Sequence, residues 1–483
     1  MRVSCSVRRI FVRRCHICHV GRLPGFSDRF GLWQLEQGDE KGFRKKDGYY
    51  AMNEYRKCAE EMLEFIEKSP TGFHAVANLK AALEERGFQC LKETENWELT
   101  AGGGYYVTRN DSSLIAFRIP ANGKAAGFHI AASHGDSPAF KVKEFPEMAA
   151  ENAYVKLNTE KYGGMILTSW LDRPLSVAGR VVIKGDEGIE TRLVNIAEDL
   201  MVIPSLAIHM SRDSAGKAEY NPQVDMLPLY GECGEDDEAG GRHAFLDKVA
   251  RAAGTETERI LGHDLFLYVR EKGRILGENG NFVLSPRLDD LQCAYASSRA
   301  FLDSVPEGYI NACVVFDNEE VGSGTKQGAN STFLEDILWR IGESMELSRS
   351  EYLQLIAGSF LISADNAHAV HPNHPEKADP TNRPLLNRGI VLKFHGSQKY
   401  ATDAVSAAEV RMLCREAGVP CQTYANRSDI AGGSTLGNIS TSHVSVSSAD
   451  IGLPQLAMHS AVETAGVKDT KYAVDMFRVF FAQ

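Results

Sequence analysis

Three stretches of the chain are almost wholly apolar and stop at a charged or imidazole group: "FHIAASHGD" (128–136), "ACVVFDNEE" (312–320) and "FLISAD" (360–365). A strand with one wet face alternates apolar and polar residues, so an unbroken apolar run must be covered on both faces. Helical patterns lie between and after these runs, among them "DDLQCAYASSRAFLDS", "STFLEDILWRIGESM" and "VSAAEVRMLCREAG". Strands alternating with helices imply an α/β fold, a mixed but largely parallel sheet flanked by helices. Two helices precede it, one striped by Tyr55, Ala59, Met62 and Ile66 and ended by Pro70, the next striped by Val76, Leu79 and Leu83 and stopped at Gly87.

Residues 142–278 follow a different pattern. "GRVVIKG", "IETRLVNI" and "DLFLYVR" are short strands separated by turn signals, with an acidic loop, "GECGEDDEAGG", among them. This reads as a β-rich domain inserted into a catalytic domain made of residues 52–141 and 279–483, an arrangement that exposed loops tolerate. Residues 1–51 stand apart: eleven lysines and arginines against five acids, three of the ten cysteines, and no sustained apolar period. We expect an over-extended start with Met52 as the true one; the alternatives are a targeting leader or a metal or haem motif at "CHICH" (Cys15–His19).

Composition narrows the function. A net charge of −11 argues against a nucleic-acid surface, and no apolar run approaches a membrane span. Ten cysteines scattered over 483 residues read as reduced core thiols, which favours the cytoplasm.

Five places where a strand ends carry metal-ligand chemistry. "HIAASHGDSP" presents His134 and Asp136, "NFVLSPRLDDL" presents Asp289, and "VVFDNEEVGSG" presents Glu319 and Glu320. "FLISADNAH" presents Asp365, and "PQLAMHS" presents His459. In open α/β sheets, sites form beyond the carboxyl ends of the strands, where such arrivals converge. Two histidines and three carboxylates suit two divalent ions, most simply zinc, with one carboxylate bridging. The adjacent glutamates then make sense: one coordinates while its neighbour takes a proton from an activated water. Asp136 is placed to fix the tautomer of His134. Each residue alone has a plainer reading, Asp289 as a helix cap or His459 as a core histidine; the joint arrangement is what points to chemistry.

Taken together, the motifs "SPTGFHAV", "SHGDSPAFKVK", "SWLDRPLSVAGRV", "RLDDL", "FDNEEVGSGTKQGA", "SADNAHAVHPNHPEK" and "PQLAMHS" make the chain, from about residue 53 onward, similar to the aspartyl aminopeptidase family of metallopeptidases. The resemblance implies that Asp289 bridges two zinc ions, His134 and Asp365 completing one and Glu320 and His459 the other, with manganese or cobalt as possible substitutes. It implies Glu319 as general base, and His209 in "LAIHM" as a group that reaches a neighbouring subunit's site. It places Lys393 in "GIVLKFHG" and His368 against the substrate, Lys393 meeting an acidic side chain. It further implies dimers, formed through the inserted domain and assembled into a dodecamer, that act on peptides with a free, acidic amino terminus. By themselves, His209 reads as a buried histidine and Lys393 as a solvated strand-edge lysine. The rival functions are another dinuclear-zinc hydrolase, a carboxypeptidase or N-deacylase, and a non-catalytic oligomeric scaffold.

Overall fold

A computed structural model describes residues 44–210, 219–233, 244–430, 432–433 and 435–483, with side chains from residue 53 onward. Cys15–His19 and most of "GECGEDDEAGG" lie outside the described residues. Residues 49–483 pack as one unit.

The core is a nine-stranded sheet. Its order is Gln89–Cys90, Gly104–Arg109, Ser113–Arg118, Ile310–Phe316, Phe128–His134, Phe360–Ala364, Ser447–Gly452, Ile390–Phe394 and Cys421–Ala425. The four strands from Ile310–Phe316 to Ser447–Gly452 are mutually parallel, and antiparallel neighbours enter on either side. This is the mixed, centrally parallel sheet expected from the apolar runs.

Alternation within those runs explains their composition. Ala131, Cys313, Val315 and Ile362 face one core, against helices Gly72–Glu85, Leu288–Asp303 and Asp469–Ala482. Ile130, Ala132, Ala312, Val314 and Leu361 face the other, against helices Phe333–Ser344 and Arg349–Ala357. Successive side chains of a strand point to opposite faces, so strands covered on both sides are apolar throughout. The helix expected just after Met52 extends back to Arg44 and ends at Lys68, so residue 51 is no boundary of secondary structure.

Two further sheets complete the unit. An antiparallel six-stranded sheet runs in the order Ile189–Asn195, Leu175–Lys184, Ile260–Val269, Ala139–Ala150, Tyr154–Tyr162 and Leu229–Glu232, and closes its own core around Phe140, Val181, Phe245 and Leu265. Arg180 ties it to the central sheet, stacking over Phe73 at 4.4 Å and donating to Asn110 O at 2.8 Å. A small five-stranded sheet joins Arg274–Leu276, Phe282–Ser285, Glu463–Gly466, Pro454–Leu456 and Ala367–His368. It gathers segments nearly 200 residues apart at the end of the central strands.

Candidate metal centre

His134 is the last residue of its strand, and its neighbour in register on the adjacent strand is Phe316. The chain leaving Phe316 turns at Asn318, in the left-handed region, into the short 3-10 helix Glu319–Val321. On the other side of the His134 strand, the parallel strand Phe360–Ala364 ends next to Asp365. Asp289 and Asp290 have non-helical backbone at the head of helix Leu288–Asp303, four and five residues beyond the small sheet. His459 follows the strand Pro454–Leu456 with φ +64°.

These elements converge on Asp289. Its Oδ1 is 3.5 Å from His134 Nε2 and its Oδ2 is 3.6 Å from His459 Nε2. His134 Nε2 also lies 4.0 Å from Asp365 Oδ1, and His459 Nε2 lies 3.3 Å from Glu320 Oε2. Three sets of ligand atoms, each within 4.8 Å of one another, occur among the described residues. They are His134–Asp289–Asp365, Asp289–Glu320–His459 and His134–Glu319–Glu320. Asp289 is common to the first two.

The donors fit divalent cations. Asp289 Oδ1 and Glu320 Oε1 are buried and accept no hydrogen bond, a costly arrangement for carboxylate oxygens unless a cation takes it up. Burial pushes the carboxyl of Glu319 up to about 7, and burial together with neighbouring carboxylates raises Glu320 and Asp365. Burial also opposes ionisation of Asp289, but the imidazoles on its two oxygens outweigh it and hold it below the carboxylate range. The cluster is short of positive charge. Imidazole nitrogens and carboxylate oxygens in this number suit zinc.

Asp136 does more than face His134, whose Nδ1 is 3.4 Å from its Oδ1 and 3.1 Å from its carbonyl. Its carboxylate accepts the backbone N–H groups of Glu319 and Glu320, each at 3.1 Å, and the Tyr162 hydroxyl at 2.8 Å. It therefore orients the glutamate pair as well as the histidine. Asp290, a further buried carboxylate, accepts the backbone N–H of His134 at 3.2 Å.

Lys393 is not a solvated edge residue. Its strand lies inside the sheet, its side chain is buried, and Nζ is 3.4 Å from Asp365 Oδ2 and 5.6 Å from the centroid of the Tyr400 ring. It lines a cavity of about 340 Å3 with His134, Asp289, Glu319, His368, Tyr424 and His459. His209 is not brought to this cleft and is not buried: it sits on the exposed 3-10 helix Ile208–Met210.

The sequence reading missed the contribution of the six-stranded sheet to the site. Gly163, at φ +80°, packs so closely on Glu320 that an added Cβ would lie 3.1 Å from the glutamate's own Cβ. Gly164 abuts His459 Nδ1. The pair "GG" after "EKY" was the available signal: a positive φ and a close approach both call for glycine.

Comparison with known proteins agrees with this geometry. Residues 65–481 match the model of the family described as Aminopeptidase I zinc metalloprotease (M18). A protein of Clostridium novyi (strain NT) named "Probable M18 family aminopeptidase 2" is 47% identical over 429 residues, which is 88% of this chain and 98% of that protein. Its namesake in Pseudomonas aeruginosa is 40% identical over 424 residues, 87% of this chain and 97% of that one. Among solved structures, the mApe1 dodecamer of S. cerevisiae superposes with a TM-score of 0.76 at 30% identity, covering 89% of this chain and 97% of that one. The crystal structure of prApe1 superposes with a TM-score of 0.83 at 30% identity, covering 90% and 98%. Fold and donor set together define a zinc metallopeptidase. Within that class, the chain belongs to the M18 family of aminopeptidases.

Because buried carboxylates outnumber the cationic groups beside them, metal binding should stabilise the fold. Stripping with a chelator is expected to lower the melting temperature, and zinc at 100 times its dissociation constant should restore about 2.7 kcal/mol or more. Differential scanning calorimetry with and without zinc checks this; an unchanged transition would contradict a cation site here.

Proposed function

We propose that this M18 zinc aminopeptidase removes an acidic residue, Asp or Glu, from the free amino terminus of peptides, using two zinc ions per subunit. The observation that carries the reading is Asp289 shared between His134 with Asp365 on one side and Glu320 with His459 on the other. Those five residues are the assigned ligands, with Asp289 as the bridge. Manganese or cobalt can stand in for zinc in such a donor set.

Bound zinc supplies Lewis acidity, which activates a water and polarises the scissile carbonyl. The chain's own residues do the remaining work. Glu319 lies beside the ligands without belonging to either Asp289-sharing set, where its carboxylate can accept a proton from water. It then delivers that proton to the leaving amine. Asp136 keeps Glu319 and Glu320 in place through their backbone N–H groups. The family to which the chain belongs is one of aminopeptidases, which act at a free amino terminus rather than at an acyl group or a C-terminal carboxylate. That distinguishes an aminopeptidase from a carboxypeptidase or N-deacylase.

Lys393 and His368 line the cleft and are assigned to the substrate's side chain, Lys393 as the cation that meets its carboxylate. A second reading has its own observation: Lys393 is 3.4 Å from Asp365, so its charge also serves a metal ligand. His209 is assigned to the oxyanion in a neighbouring subunit's site. Its exposed helix, flanked by exposed Leu206, Ile208 and Met210, suits contact with another copy. The dodecameric state of the yeast relative supports a homo-dodecamer built from dimers, with residues 142–278 as the dimerisation module. No helix among the described residues is long and apolar enough to cross a membrane. The scattered cysteines are the ground on which we assign the enzyme to the cytoplasm.

Replacing Glu319 with Gln should leave bound zinc unchanged and lower kcat by about 100-fold or more. Zinc analysis beside a peptide assay checks it, and substantial turnover by the zinc-loaded variant would defeat the base assignment. For Lys393→Met, kcat/KM on a Glu-nitroanilide should fall about 10- to 100-fold while that on a Leu-nitroanilide holds, as expected for loss of a charge-assisted hydrogen bond. An equal fall on both substrates would move Lys393 to the service of Asp365.

A further inference from the structure

Glu463 belongs to no ligand set, and the reaction described above makes no use of it. Its side chain is nevertheless 2% exposed, and both of its oxygens are committed to the main chain at the metal centre. Oε2 accepts the N–H of Asp289 at 3.0 Å, and Oε1 accepts the N–H of His459 at 2.8 Å. These are the backbones of the carboxylate common to both sets and of the histidine beside Glu320.

The surrounding structure shows why such a clamp is needed. Glu463 opens the strand Glu463–Gly466 and pairs in register with Ser285, so the segment bearing Asp289 and the one bearing His459 approach it from two directions. Asp289 sits in non-helical backbone, outside the regular hydrogen bonding of the helix that follows. His459 holds φ at +64°, in the left-handed region that residues with a Cβ adopt less readily than glycine. Its N–H goes to Glu463, and its carbonyl accepts the N–H of Ile166 at 3.0 Å. Each oxygen of this buried side chain accepts one of the two N–H groups, so the two backbones are tied to one rigid carboxyl plane. Asp136 does the same for Glu319 and Glu320.

We propose that Glu463 is a positioning residue for zinc: by fixing the backbones of Asp289 and His459 it sets the affinity of the ion held by Asp289, Glu320 and His459. The inference rests on the two-zinc reading given above. Glutamine in its place keeps the volume but presents an NH2 to one of the two N–H groups, which breaks one arm of the clamp. A cavity of about 290 Å3 borders Glu463 and Asp136 and gives the altered side chain room to adjust.

The test measures zinc content and zinc retention against chelators of graded strength, on the full-length enzyme. Wild type should hold two zinc ions per subunit; fewer than two contradicts the two-zinc reading itself and this inference with it. With two in the wild type, Glu463→Gln should bind the ion shared by Glu320 and His459 about 10- to 100-fold more weakly, and weaken the other, which has only Asp289 in common with the clamp, to a smaller degree. Its kcat should recover at saturating zinc with KM unaltered, and Glu463→Asp should fall between the two. Wild-type retention of both ions by Glu463→Gln overturns the proposal. So does an equal drop in melting temperature for the stripped and zinc-loaded variant, or failure of both variants to fold, because each marks a role in the fold alone.

Discussion

Asp289 lies between two imidazoles, one against each of its oxygens, with the carboxylates of Glu319, Glu320 and Asp365 close by. Like charges at such range in a buried setting repel strongly, and burial withholds the water that would screen them. The raised carboxyls of Glu319, Glu320 and Asp365 record that conflict. Divalent cations, which a zinc metalloprotease family implies, would relieve it, and the rest of the structure holds these side chains together.

Three sheets share that task. The central sheet brings His134, the glutamate pair and Asp365 to one edge, because its middle strands are parallel and end together. The small sheet brings Asp289, His459 and Glu463 to the same edge through short strands from distant parts of the chain. The six-stranded sheet closes the third side with Tyr162, Gly163 and Gly164. Carboxylates then hold the main chain of the site: Asp136 secures the glutamates, Asp290 secures His134, and Glu463 secures Asp289 and His459. Ligands anchored by their own backbones lose little freedom when a cation binds.

Much of this was legible in the residues. Unbroken apolar runs marked strands covered on both faces, and the strand Phe128–His134 coincides with the run "FHIAASH". The ligand types at the ends of those runs were equally visible. Contacts made by main-chain N–H groups were not, because every residue but proline carries one and only the fold selects which meet. Glu463 was therefore visible only as a glutamate four residues past a histidine. Strands of two to four residues in the small sheet carry too little pattern to be recognised. Lys393 read alone as a solvated lysine, since a single charge near a strand end gives no sign of a buried carboxylate partner. His209 failed in the opposite sense: apolar neighbours in "LAIHM" suggested burial, whereas Leu206, Ile208 and Met210 are themselves exposed.

The most direct measurement is anomalous diffraction at the zinc edge from crystals of the enzyme grown with zinc. The account predicts two peaks about 3.5 to 4 Å apart, one touching His134 and Asp365, the other Glu320 and His459, and Asp289 reaching both. A single peak, or peaks that do not share Asp289, would contradict it.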